Sequence, residues 1–200
     1  MLRTALCALG MVLVGLSWPC VSPHVDAAET DMVDEAIAHF AAQLRSDRAQ
    51  QAVRQCAEDL KSATTAGFAP RAEAILFFVD MRAKGVLLAL LRSDDRSARD
   101  FVADRCLGVF DVEDIPALYD IAVSLVPETI VGGGEEIAAR EQIVRKLALA
   151  TSRILGIEHV PLTSFSREAV HDWWLAAIKK AEKAQEGRSG LERIRRHFEE

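Results

Sequence analysis

Glycine, proline and cysteine are sparse in this chain of 200 residues, at 11, 6 and 4, which excludes a collagenous, low-complexity or disulfide-packed protein. With half its residues hydrophobic and 27% charged, the composition is that of an ordinary globular chain, for which one domain is the default. Positive charge is not in excess. Twenty-four Lys and Arg stand against 30 Asp and Glu, a net charge of −6, which argues against nucleic acid as a bulk partner because phosphate binding needs concentrated positive charge. Long apolar runs are missing beyond the N-terminus: Ala74 to Val79 and Gly85 to Leu91 are too short to cross a bilayer. Catalytic signatures are missing as well, with no Gly-x-Ser-x-Gly elbow, no His-Glu-x-x-His and no Cys/His nucleophile context.

What is present begins with a leader. Met1-Leu2-Arg3 is a short basic start, Thr4 to Trp18 is uncharged and mostly apolar, and Val25-Asp26-Ala27 presents small or medium residues for cleavage. Residues 1–27 therefore read as a secretory signal peptide. As a permanent anchor, fifteen apolar residues would reach only about 22 Å across a hydrocarbon core of about 30 Å. Lipidation at Cys20 is disfavoured by the bulky Trp18 and by Pro19 ahead of it. Cleavage predicts an exported protein, periplasmic or secreted, with no stable membrane insertion after the leader is lost. It retains Cys56 and Cys106, and its size permits a core without covalent staples.

Apolar residues recur at helical spacing through nearly every remaining segment. Val33, Ile37, Phe40, Ala41 and Leu44 form one stripe, with Thr30 or Asp31 offered as N-cap, and Ala52, Val53, Cys56, Ala57 and Leu60 form a second after a tight turn. Thr64 to Ala69 reads as a loop. Pro70 suits a first turn of a helix carried from Ala72 to Lys84 and stopped at Gly85; its segment Ala74 to Val79 is apolar all round, with a short strand as the alternative. Val86 to Leu91, a Ser93-Asp94-Asp95 turn, and Ala98, Phe101, Val102 and Cys106 make another pair. Asp111 or Asp114 can cap a helix bearing Pro116, Leu118, Ile121, Ala122 and Leu125; Glu135 to Leu155 forms a long helix ended by Gly156. Phe165 and Val170 bracket Ser166 at the start of a last long helix, and residues 187–200 read as a charged C-terminal segment, at most a loose helix.

Leu44-Arg45-Ser46-Asp47 recurs as Leu91-Arg92-Ser93-Asp94, and Val53-Arg54, Ala98-Arg99 and Val144-Arg145 follow at intervals in the mid-forties. Such a period, with each unit a helix, a turn and a second helix, is the mark of a stacked α-α solenoid. Gly85 to Arg99, with its apolar first helix, acidic turn and early arginine in the second helix, resembles a HEAT repeat, and Ile115-Pro116-Ala117-Leu118 followed by Val144-Arg145 resembles another. The resemblance spans roughly Thr30 to Gly156. It implies an all-α fold, an α-α superhelix of about three helical pairs in a domain over 28–186, closed by a C-terminal capping helix carrying Trp173 and Trp174. It also implies a ladder in which Asp47, Asp94 or Asp95 meets Arg54, Arg99 or Arg145 of neighbouring units.

Several residues invite a functional reading and receive a plainer one. Gly132-Gly133-Gly134 precedes a helix as an anion cradle would, but it lacks the Lys and Ser/Thr of a P-loop, and Glu135 and Glu136 already hold negative charge there. Trp173 and Trp174 share a stripe with Val170, Ala177, Ile178 and Ala181, which is a packing pattern more than an exposed platform. His39, His159, His171 and His197 lack zinc-ligand spacing, and Asp111, Glu113 and Asp114 lack the layout of a calcium loop. Cys56 and Cys106 would lie on adjacent second helices, yet offset along the axis by roughly 7.5 Å, so two thiols are favoured over a disulfide. No catalytic, cofactor-binding or metal-ligating residue is thus assigned, and no cofactor is expected. The expectation for function is an exported scaffold or adaptor that binds another protein of the cell envelope without catalysis. The alternatives are an envelope enzyme using an isolated carboxylate, or a small-ligand carrier with a cavity near Phe77, Phe78 and the tryptophans.

Overall fold

The computed structural model describes residues 27–61, 68–127, 133–184 and 189–199; the leader read at residues 1–27 lies, but for Ala27, outside them. Among the described residues there are nine α-helices and no strand. They are α1 (Ala27–Gln43), α2 (Asp47–Lys61), α3 (Ala69–Asp80), α4 (Lys84–Arg92), α5 (Arg96–Arg105), α6 (Ile115–Leu125), α7 (Gly134–Leu155), α8 (Arg167–Ala184) and α9 (Ser189–Glu199). Thr30 and Asp31, offered as caps, fall inside α1.

The helices stack in two rows, and the fold is an α-α superhelix. In one row α1 packs on α4, α4 on α6 and α6 on α8; in the other α2 packs on α3, α3 on α5 and α5 on α7. Successive helices pair across the rows, α1 with α2, α4 with α5 and α6 with α7. Helix α3 is additional to the mid-forties period: it enters the second row between α2 and α5 and separates the first two pairs. A single apolar core runs from Ile37 to Phe198, with Ile75, Phe78, Leu87, Leu91, Ile121, Leu147 and Ile178 all withdrawn from solvent.

The α3–α4 break corrects the expectation of one helix from Ala72 to Lys84. The Ala83 N–H donates to the Phe78 carbonyl at 2.9 Å and the Arg82 N–H to that of Val79 at 2.9 Å. This is the 6→1 and 5→2 pairing of a Schellman ending, with Arg82 at φ 52° in the left-handed position that glycine usually takes. At the end of α7 the same pairing forms around a glycine, Gly156 at φ 66°. The segment Ala74 to Val79 is helical, not a strand. It is also not enclosed all round: Ala74, Ile75 and Phe78 face the core while Leu76 is 44% exposed.

Caps and ion pairs fix the turns. Asp95 caps α5 by accepting from the Ala98 N–H at 3.1 Å, and Ser166 caps α8 by accepting from that of Ala169 at 3.2 Å. Arg71 on α3 donates to the Leu60 carbonyl at the end of α2, 2.8 Å away, and pairs with Asp95, so one side chain joins α2, α3 and α5. The Asp–Arg ladder implied by the repeat takes a different form here. Asp95 meets the inserted helix α3, Arg99 turns back to the Ser93 carbonyl at 3.4 Å, and Arg145 meets Glu141 and the Leu162 carbonyl.

Lys84 opens α4 and reaches two carboxylates of the next unit, Asp111 and, at 2.7 Å, Asp114. Those acids also close a capping box, with the Asp111 N–H donating to Asp114 at 2.8 Å and the Glu113 N–H to Asp111 at 3.0 Å. The Lys84 hydrogen bond holds the Asp111 carboxyl below its ordinary value against a smaller opposing effect of burial. Burial works against the Lys84 charge, but its bonds to both aspartates outweigh that and raise it. Both shifts favour the folded state between the carboxylate and lysine ranges. The Asp111 share is lost as pH falls through its lowered value, and the Lys84 share as pH rises through its raised one. Because Asp111 is largely exposed, Asp111→Asn should cost only about 0.5 kcal/mol at pH 7. In denaturant melts this difference should shrink progressively once the pH drops below about 4.

The charged C-terminal segment is a docked helix. Leu191, Ile194 and Phe198 recur at spacings of three and four, and all three are buried against the body, where α9 packs on α8 and α6. The superhelix is therefore capped by two helices, α8 and α9.

Candidate binding grooves

Two open concavities flank α1. The larger, about 590 Å³, lies between α1 and α4: Met32, Ala36 and Phe40 line one wall, and Gly85, Val86 and Ala89 the other. Both walls follow helical periodicity, since residues 32, 36, 40 and 43 share a face of α1, and 85, 89 and 92 a face of α4. Gly85 and Ala89 lower the α4 wall, and a Cβ added at Gly85 would meet nothing within 4 Å. Arg82, Lys84, Arg92, His39 and Glu35 form the polar rim. The smaller groove, about 470 Å³, is bounded by Ile37, Ala38, Ala41, Val53 and Ala57 of α1 and α2, with Asp34, Glu58, Arg54 and Lys61 around it in balanced charge. Lys61 and Asp34 close part of that rim with a 2.8 Å ion pair.

The aromatic residues singled out from the sequence take packing positions. Trp174 is fully buried, with Trp173 edge-on at 4.7 Å and half-buried, its indole N–H donating to the Val160 carbonyl at 2.6 Å. Phe78 packs against Phe40 and Phe77, and the tryptophans against Tyr119 and His159, so these aromatics occupy separate parts of the core. Gly133 and Gly134 start α7 with Glu135 and Glu136 in its first turn; Gly132 lies outside the described residues. Cys56 and Cys106 are both free thiols, half-buried and buried respectively, and burial raises the Cys106 pKa to about 11. Among the described residues no three His, Cys, Asp or Glu side chains gather as metal ligands would, and no helix is long and apolar enough to cross a membrane.

Two polar pairs were not anticipated from sequence spacing. Ser152 Oγ lies 3.1 Å from His159 Nδ1, the contact a serine nucleophile and its base would make. The serine is buried in the last turn of α7 and its hydroxyl also donates to the Ala148 carbonyl at 3.1 Å, so the histidine serves as donor and fastens the following loop to the helix end. Tyr119 Oη lies 2.9 Å from His171 Nδ1, and its ring meets Phe198 edge-on at 4.5 Å and Trp174 at 6.1 Å. Burial, with the Asp120 charge, raises the Tyr119 pKa, which keeps the phenol protonated at neutral pH and fits a hydrogen bond joining α6 to α8.

Compared with protein-family models, with curated proteins and with solved structures, the chain gives no match.

Proposed function

We propose that the chain is an exported scaffold of the cell envelope that binds another protein and performs no chemistry of its own. The observation that carries this reading is the groove between α1 and α4. This pair leaves an apolar channel with a polar rim on the surface of the superhelix, larger than the charge-balanced groove between α1 and α2. The HEAT-like pattern of Gly85 to Arg99 supports the same role, since helical repeats of that kind offer extended surfaces to partners. The apolar stretch of residues 4–18 and the small residues ahead of Ala28 support export.

Cross-linking followed by affinity capture from envelope extract, with the protein in the form its host accumulates, tests the reading. A defined protein retained in stoichiometric amount, and a mass for the captured chain that begins near Ala28, is the expected result. Turnover of an envelope polymer by the purified chain, abolished by a single Glu→Gln substitution, would replace it with an enzyme.

A further inference from the structure

We propose that the groove between α1 and α4 receives an amphipathic helix of a partner protein that carries acidic residues at both ends of a narrow apolar face. This rests on the scaffold reading and names what the scaffold holds.

The argument starts from charge. Carboxylates outnumber cations in this chain, 30 to 24, and many of its basic side chains have an acid of their own: Lys61, Arg71, Lys84, Arg140, Arg145 and Lys146 all do. Arg82 and Arg92 are exposed at the rim of the groove, and among the described residues neither makes an ion pair. Lys84 between them is outnumbered by Asp111 and Asp114, and Glu35 adds a third carboxylate near this rim, so the unpaired positive charge lies at Arg82 and Arg92. The two arginines stand at opposite ends of α4, Arg82 two residues ahead of it and Arg92 its last residue, and the helix itself rises roughly 12 Å, a little over two turns of a partner helix. The apolar wall on α1 follows i, i+4, i+8 spacing in Met32, Ala36 and Phe40, and Gly85 and Ala89 on α4 let another helix come close.

Arg82 adds a second line of support. It occupies the left-handed position of a helix ending, where glycine would be less strained, and among the described residues its side chain makes no ion pair. A charge set at a strained position, with no ion pair among the described residues, points to a partner outside them. Other occupants fit less well. Residues 1–26 carry one carboxylate, Asp26, and cannot answer two arginines, while a two-fold contact of two copies through this groove would set arginines against arginines.

The test is selection from a displayed library of helix-forming 18-residue peptides on the wild-type protein. Enriched peptides should share an apolar face of small and aliphatic residues with Asp or Glu at both ends. Their affinity should fall roughly tenfold or more with Arg82→Glu combined with Arg92→Glu, and with Gly85→Leu, which fills the channel where nothing stands within 4 Å. Arg82→Gly separates binding from folding: it should weaken binding while leaving the melting temperature unchanged or higher. Enriched peptides without the acidic ends, or affinities indifferent to these substitutions, overturn the assignment of the groove while leaving the scaffold reading in place. No enrichment also overturns it, and the capture experiment then decides the scaffold reading on its own. A dimer in sedimentation that dissociates on charge reversal would assign the groove to a second copy and reject the partner helix.

Discussion

Replacing Trp174 with alanine should lower the melting temperature by about 10 °C. The side chain is fully buried on the inward face of α8, between the rings of Trp173 and Tyr119, with Val170, Ala177 and Ile178 buried along the same face. Removing an indole from such a site leaves a cavity that its neighbours cannot close, at a cost of about 3–5 kcal/mol. In a domain of this length each kcal/mol corresponds to roughly 2–4 °C. Trp174→Phe should cost much less. The indole N–H has no hydrogen-bond partner among the described residues, so phenylalanine forfeits volume but no hydrogen bond. Calorimetry of the three proteins measures both effects. An alanine variant that melts with the wild type would mean that α8 does not close the core.

A chain ended after Ala184, without α9, should lose about 5 kcal/mol, because Leu191, Ile194 and Phe198 each return roughly 1.5–3 kcal/mol of burial. The ring of Phe198 covers Tyr119, the single tyrosine of the chain, and His197 lies 3.6 Å from Asp120 beside it. Truncation should therefore uncover Tyr119 and the face of α6. The shortened protein should bind a hydrophobic dye that the full chain excludes, and the tyrosine should become accessible to a soluble quencher. Unaltered stability and quenching would assign α9 no part in the core.

The all-helical architecture was legible because its signal is repeated. Leu118, Ile121, Ala122 and Leu125 on α6, and Val170, Trp174, Ala177 and Ile178 on α8, are buried as their spacing predicts. Gly156 announced the end of α7 and Ser166 the start of α8, since both perform the task their residue type favours. The end of α3 was hidden for the opposite reason. Its left-handed residue is Arg82, and the nearby glycine, Gly85, sits within the first turn of α4 and ends nothing. The inserted position of α3 was equally hidden, because which helix fills a row depends on contacts such as Arg71 with Asp95, far apart in sequence. In α9 a high density of charge concealed three apolar residues on one face. The larger groove left little local trace, since a concavity arises from how α1 and α4 meet. Small residues four apart at Gly85 and Ala89, flanked by Arg82 and Arg92, are the signal that could have drawn attention there.

The return of Phe198 onto Tyr119 sets an order on the birth of the molecule. Chain emerges from the ribosome amino end first, and successive helices of a superhelix can settle on those already released. Helix α6 is the exception, since part of its surface is covered by Phe198, far behind it in sequence. Until α9 has been made, Tyr119 and Phe198 cannot meet, and part of the apolar side of α6 stands open. Completion of this fold thus waits on the synthesis of α9, whatever the earlier helices have already achieved.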